Sequence, residues 1–191
     1  MEQATAFYNK QRELLTLGKI QDVIYDSTRI SWTTNVLNAA KKNEIIPLDK
    51  IGENSNCLYR PYFKQYGCYS RFWNERVYQL PKLFPTSKYK NLVICVSGVG
   101  VTKDFSCIIT DMLPDLELIG KSQCFPLYWY EENKNKQQTL SLFDTESSDD
   151  YIRRDGITDW ILKEVRTRFG NARKITKETI FYYVYGLLHS P

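Results

Sequence analysis

The chain opens with strong helix formers, ATAFYNKQRELLTL over residues 4–17, and then meets Gly18. That pattern predicts a helix stopped by a glycine cap. In DSTRISWTTNVLNAAKKN, Ile30 and Trp32 precede Val36, Leu37 and Ala40, which predicts an extended lead into a second helix. Thr33 or Thr34 is positioned to cap it, and Lys41 and Lys42 fall at the end that favours cations. Beyond Pro47 the character changes to short apolar or aromatic runs broken by Pro and Gly, the pattern of strands and turns. Leu92 to Val96 is a β-branched run suited to a central strand, followed by Ser97, Gly98 and Gly100 as a turn. Phe105 to Thr110 and Cys124 to Tyr130 read as further strands.

The stretch from Glu131 to Gly156 is polar, acidic in its middle and low in complexity, so it reads as a mobile connection. After it, Ile157, Trp160, Ile161, Val165 and Phe169 recur at helical spacing up to Gly170. A last helix is expected to start at a Thr-x-x-Thr cap on Thr176, with Ile180, Phe181, Val184, Tyr185 and Leu188 on one face. Its apolar positions run almost all round, so it is expected to be a structural prop buried between the sheet and a neighbouring domain. It carries no Arg, Lys, Asn or Gln after Glu178, unlike a helix that reads DNA. The predicted fold is α+β: a central mixed sheet flanked by helices, with N-terminal helices and a C-terminal helical hairpin. The expected segments are 1–50, helical and packing on the sheet; 51–130, β-rich, basic and aromatic; 131–156, the connection; and 157–191, the hairpin. No internal repeat interrupts this order.

Composition supports a folded protein. The 191 residues suit one domain, and 42% hydrophobic and 14% aromatic content is enough for a core. No apolar run approaches the ~18 residues that cross a bilayer, and the N-terminus is polar, so a cytoplasmic protein without membrane contact is expected. Cys57, Cys68, Cys95, Cys107 and Cys124 are odd in number and lack CxxC spacing, and they read as reduced, largely buried thiols.

Charge changes the picture more than composition does. The net charge is only +4, but residues 60–103 hold eight basic residues against the single acid Glu75, while 104–155 hold eleven acids against five bases. The first stretch attracts phosphate, and the second reads as a solvated face or linker.

Catalytic chemistry finds little support. One histidine, His189, and no cysteine pair are too few for a zinc site, so no metal is expected. Gly98-Val-Gly100-Val-Thr-Lys103 has the wrong spacing for a phosphate-binding P-loop, and no cofactor is expected. His189 beside Ser190 lacks a nucleophile elbow and reads as a packing residue. Asp104, Asp111 and Asp115 are spaced too irregularly for a catalytic set and read as solvated loop acids. A binding module, not an enzyme, is the result.

Within 60–103 the cations are interleaved with Tyr62, Phe63, Tyr66, Tyr69, Phe72, Trp73, Tyr78, Phe84 and Tyr89. Nucleic-acid surfaces need that mixture, because cations meet phosphates while Arg and planar rings meet base edges and faces. Alternating aromatics also build sheet cores, so composition leaves both readings open.

Several strings bear on that choice. They are Ile30-Ser-Trp32; Tyr59-Arg60-Pro61-Tyr62-Phe63-Lys64 with Tyr69-Ser-Arg71; Asn91-Leu-Val-Ile-Cys-Val-Ser97-Gly98; Pro114-Asp115; Cys124-Phe125-Pro126-Leu127-Tyr128; and Ile180 to Pro191. In this order and combination the chain resembles the C-terminal target-recognition (specificity) domain of Type ISP restriction-modification enzymes and related bacterial predicted helicases. The resemblance implies a larger polypeptide that carries a nuclease, an ATP-driven translocase and an adenine methyltransferase besides this reader. No Walker A lysine, NPPY motif or glycine-rich S-adenosylmethionine strand occurs in the sequence. Relatives continue past the LHSP string, so an excised fragment is expected.

The implied function is recognition of a short double-stranded DNA sequence for methylation and restriction by the other domains. Lys64, Lys82, Lys88, Lys90 and Lys103 are the candidates for phosphate, and Arg71, Asn74 and Arg76 for bases or close backbone. Arg60 and Tyr59 are equally readable as structural supports of the YRP turn. The alternative is a protein-interaction module that docks the methyltransferase or motor (helicase) domain.

Overall fold

The computed structural model describes residues 2–46, 52–70, 72–74, 76–133, 150–170 and 174–190. Two compact units emerge, one from residues 1–55 and 66–78, the other from 56–65 and 79–191.

In the first unit, helix α1 (Glu2–Thr16) ends as its glycine predicts. Gly18 takes φ +73°, and the Lys19 N–H reaches back to the Leu14 carbonyl at 2.9 Å. Helix α2 (Thr34–Lys41) is capped by Thr33, whose hydroxyl accepts the Val36 N–H. Its other end uses Asn43 at φ +60°, so that Glu44 and Asn43 donate to Ala39 and Ala40. Asparagine tolerates this left-handed turn better than most residues. Tyr8, Ile30, Val36, Ala39, Ala40 and Ile46 form the core, and Phe72 and Trp73 pack against it from a later stretch. The Tyr8 ring meets Phe72 and Trp73 edge-on at 5.3 and 6.1 Å, and its hydroxyl donates to the Glu44 carbonyl. Burial pushes that hydroxyl's pKa up to about 12.

Strands β1 (Glu53–Arg60) and β2 (Phe63–Tyr69) form a hairpin whose tip, 56–65, belongs to the second unit. β1 also pairs in parallel with β5 (Leu113–Pro114) through Cys57 and Leu58. A second sheet places β3 (Val93–Val96) between β4 (Cys107–Thr110) and β6 (Gln123–Pro126), antiparallel to both. A third pairs β7 (Tyr128–Glu132) with β8 (Tyr151–Asp155). The protein is α+β, with its strands shared among three small sheets.

β3 explains its own composition. Val93 and Cys95 face a core with Leu58, Leu83, Phe84 and Leu118, while Ile94 faces another with Leu127 and Phe181. Burial on both faces demands a continuous apolar run. The stretch Cys124 to Tyr130, expected as one strand, is two. It breaks at buried Leu127, whose N–H goes to Leu92 and whose carbonyl takes the Gly156 N–H. A Cβ on Gly156 would lie 2.1 Å from the Pro126 oxygen, so only glycine fits. The expected connection 131–156 therefore begins and ends in paired strands, and residues 134–149 lie outside the described ones.

Short helix α3 (Leu80–Leu83) carries Pro81 in its first turn. Helix α4 (Asp159–Phe169) is capped by Thr158 and by left-handed Gly170. Helix α5 (Lys177–Leu188) has a reciprocal Thr176–Thr179 capping box. Arg166 of α4 donates twice to the Ile175 carbonyl ahead of α5. Lys177 lies 2.6 Å from both Asp155 and Asp159, and their hydrogen bonds raise its pKa.

One expectation for the inward face of α5, the place of Val184, needs correction. Ile180 and Phe181 are buried, but Val184, expected inside, is 42% exposed, and Tyr182, Tyr183 and Leu187 are also open. Apolar residues of β3, β4 and β7 cover only the flank of Phe181, Tyr185 and Leu188. Among the described residues, no helix is long and apolar enough to cross a membrane.

Candidate nucleic-acid interface

The YRP turn sits at the tip of the β1–β2 hairpin. Tyr62 follows Pro61 with φ +65°, the backbone sign that the third residue of a type II turn requires and that normally selects glycine. Arg60 holds the turn from behind. Its guanidinium carbon lies 4.2 Å from the centre of the Tyr59 ring, and its nitrogens donate to the Tyr59 carbonyl at 2.9 Å and the Glu117 carbonyl at 3.0 Å. A further contact reaches Asp115 at 3.3 Å. Asp115 in turn accepts the Glu117 N–H. These contacts make Arg60 and Tyr59 supports of the turn. The rings beyond them point outward: Tyr62 is 92% exposed and Phe63 58%. Lys64 is exposed beside them.

A second group lies between α3 and β3. Asn91 is buried and uses its whole amide. Nδ2 donates to the Leu83 and Tyr128 carbonyls at 2.9 and 2.6 Å, and Oδ1 accepts from Leu92 and Tyr128 at 2.8 and 3.1 Å. This closes residues 83–91 into one loop. Tyr89 packs on Tyr130 and Tyr151, and Tyr130 donates to the Lys90 carbonyl. Alternation then turns Lys88 and Lys90 outward on either side of Tyr89, and Lys82 is exposed at the other end of the loop.

Lys103 lies on the β3–β4 loop, closed by Ser97 and Ser106 and flanked by exposed Val99 and Phe105. A Cβ on Gly98 would fall 1.9 Å from the Lys121 oxygen, so this glycine permits a close backbone crossing.

The remaining candidates belong to the first unit. The Asn74 Oδ1 accepts the Ser70 N–H at 2.9 Å, which commits half of its amide to a local turn. Arg76 is exposed, and Arg71 lies outside the described residues. Lys64, Arg76, Lys82, Lys88, Lys90 and Lys103 form no ion pair with any described residue. The aromatic series divides: Phe72, Trp73 and Phe84 serve cores, whereas Tyr62, Phe63, Tyr66 and Tyr78 are exposed. Sequence alternation gave no means of telling these two sets apart.

The histidine and three of the cysteines contact one another or a neighbouring ring. His189 stacks edge-on with Tyr185 and lies 3.3 Å from the Cys107 sulfur. Burial raises the Cys107 pKa, away from the thiolate a nucleophile needs. The Cys95 and Cys124 sulfurs are 3.6 Å apart across β3 and β6, and the Cys124 sulfur and burial keep Cys95 a thiol. Among the described residues, no three His, Cys, Asp or Glu side chains are grouped to hold a metal.

Known proteins extend this picture. A family model described as the Type ISP C-terminal specificity domain matches residues 1–191. Among curated proteins nothing matches the chain. Among solved structures, a DrdV–DNA complex is 31% identical with a TM-score of 0.75, covering 97% of this chain and 17% of that one. The ATP-dependent Type ISP restriction-modification enzyme LlaBIII bound to DNA is 29% identical, TM-score 0.73, covering 100% and 11%. A nuclease-deletion mutant of the Type ISP enzyme LlaGI with a DNA substrate mimic is 26% identical, TM-score 0.69, covering 98% and 13%. The chain thus spans less than a fifth of each of these proteins.

Proposed function

The chain belongs to the Type ISP C-terminal specificity domain family, and from that premise we propose that it recognises a short sequence in double-stranded DNA. In this reading it does no chemistry itself. It directs adenine methylation and ATP-dependent restriction performed by methyltransferase, helicase and nuclease domains of a longer polypeptide, in the cytoplasm. The observation that carries the reading is the set of exposed lysines without an ion pair to any described residue, Lys82, Lys88 and Lys90, on a loop braced by Asn91. Cations held ready on a rigid loop suit phosphates, which fix register, while a smaller set of side chains reads base edges.

Lys64 and Lys103 extend the phosphate set. Arg76 is the better base-reading candidate of the first unit, because the bond that the Asn74 oxygen accepts from Ser70 ties that side chain to a local turn, whereas Arg76 is exposed. Arg71 stays in the proposal on sequence grounds.

The open flank of α5 favours a second role alongside the first. Tyr182, Tyr183, Val184 and Leu187 suit docking against another domain of the same polypeptide. A salt titration separates the two. Duplex DNA binding at about 10⁻⁴ to 10⁻⁶ M that falls steeply with salt supports DNA reading. Salt-indifferent association with the methyltransferase domain, without DNA binding, supports docking alone.

A further inference from the structure

We propose that the YRP turn is an aromatic wedge, with Tyr62 stacking on bases of the duplex and opening one base step. This rests on the DNA-reading function above and names the contact that the lysines do not make.

Three observations converge on the turn. Tyr62 is 92% exposed, the most open large apolar residue in the described chain. It also holds φ +65°, a conformation costly for a bulky side chain, in a turn where glycine would sit without strain. Strain of this kind persists only where the surroundings impose it, and it concentrates at binding sites. The surroundings here do impose it: Pro61 fixes the preceding φ, and Arg60 is fastened to Tyr59, Glu117 and Asp115. Below the turn, the Asp115 N–H bonds to Leu58, tying β1 to the chain beyond β5.

The brace also removes the arginine from the tip. Of the residues 59–64, only Lys64 still offers a free cation, while Pro61, Tyr62 and Phe63 form a rigid apolar point. A point of that kind makes few phosphate contacts. Apolar wedges instead enter between base pairs, and an aromatic ring recovers stacking energy from the bases it separates. A two-stranded ribbon is also narrow enough to enter a DNA groove.

The test uses this chain and a short duplex with 2-aminopurine at a TA step, where unstacking is easiest. Wild-type protein should raise the fluorescence as the base unstacks. Tyr62→Ala should abolish that rise and weaken binding about tenfold, with the salt slope unchanged, whereas Tyr62→Phe should keep both signal and affinity. Lys64→Ala should keep the fluorescence rise and flatten the salt slope by about 0.9. Tyr62→Gly relieves the backbone strain; it should fold at least as well as wild type and still lose the signal, which separates loss of the ring from loss of the fold. Unchanged fluorescence and affinity in Tyr62→Ala or Tyr62→Gly would overturn the wedge while leaving salt-dependent DNA reading intact. A wild-type protein with no salt-dependent duplex binding would overturn both.

Discussion

The Asn91 amide serves four backbone groups from three separate stretches of chain, so its replacement is costly out of proportion to its size. Each buried polar group left without a partner costs about 1–3 kcal/mol, and some of the four would find water or relax. Asn91→Ala is expected to lower stability by roughly 3 kcal/mol, read as a shift of the urea midpoint at constant slope. In the sequence Asn91 is the first letter of a strand-like string and looks like any loop asparagine. Its role was illegible because its partners are backbone groups and one of them, Tyr128, lies far along the chain. Tyr8 offers a pH test. Its pKa rises from about 10 to about 12 on folding, chiefly because burial disfavours the phenolate. The unfolded chain therefore loses this proton first as pH climbs, so Tyr8's share of stability is intact below about 10 and falls away towards 12. Urea midpoints across that range should decline less steeply in Tyr8→Phe, from a starting point about 1 kcal/mol lower for loss of the Glu44 bond.

Among the elements, α5 best displays what periodicity carries and what it omits. Its cap at Thr176, its length and its buried Ile180 and Phe181 follow from the sequence. Which flank stays open depends on how far the residues of β3, β4 and β7 reach, and no pattern within the helix records that. Phe181→Ala is expected to cost about 3–5 kcal/mol, enough to unfold or aggregate a marginal domain, whereas Tyr183→Ala should fall within about 0.5 kcal/mol of wild type. Thermal melts of the two variants decide it, and equal effects would misplace the helix. The broken strand at Leu127 teaches the same lesson: Cys124 to Tyr130 has uninterrupted strand composition, and the change of sheet is forced by the distant partners Leu92 and Gly156.

For the molecule as a whole, the skewed charge along the sequence counts Arg60 with the other cations, whereas its contacts with Tyr59, Glu117 and Asp115 hold it within the fold. Single alanine replacements of Lys82, Lys88 or Lys90 should each reduce the salt slope of DNA binding by about 0.9 and leave the melting temperature unchanged. Arg76→Ala should likewise spare the melt and weaken binding. A melting temperature that drops with any of these would mean that the side chain supports the fold. The helices at the two ends and the strands β3 and β4 were readable, but β5, α3 and β8 were not, and neither was the division into two units, because the chain leaves the first after residue 55 and comes back at 66. Phe72 and Trp73, supplied on that return, are part of the packing around Tyr8. This threading constrains how specificity can be exchanged between relatives. A recombination event with a single breakpoint between residues 56 and 72 would join one parent's helices to the other's Phe72 and Trp73, leaving a mismatched core. Viable hybrids should therefore inherit residues 1–78 as one block, and new target sequences should arise by exchange of that block or by point changes in the loops.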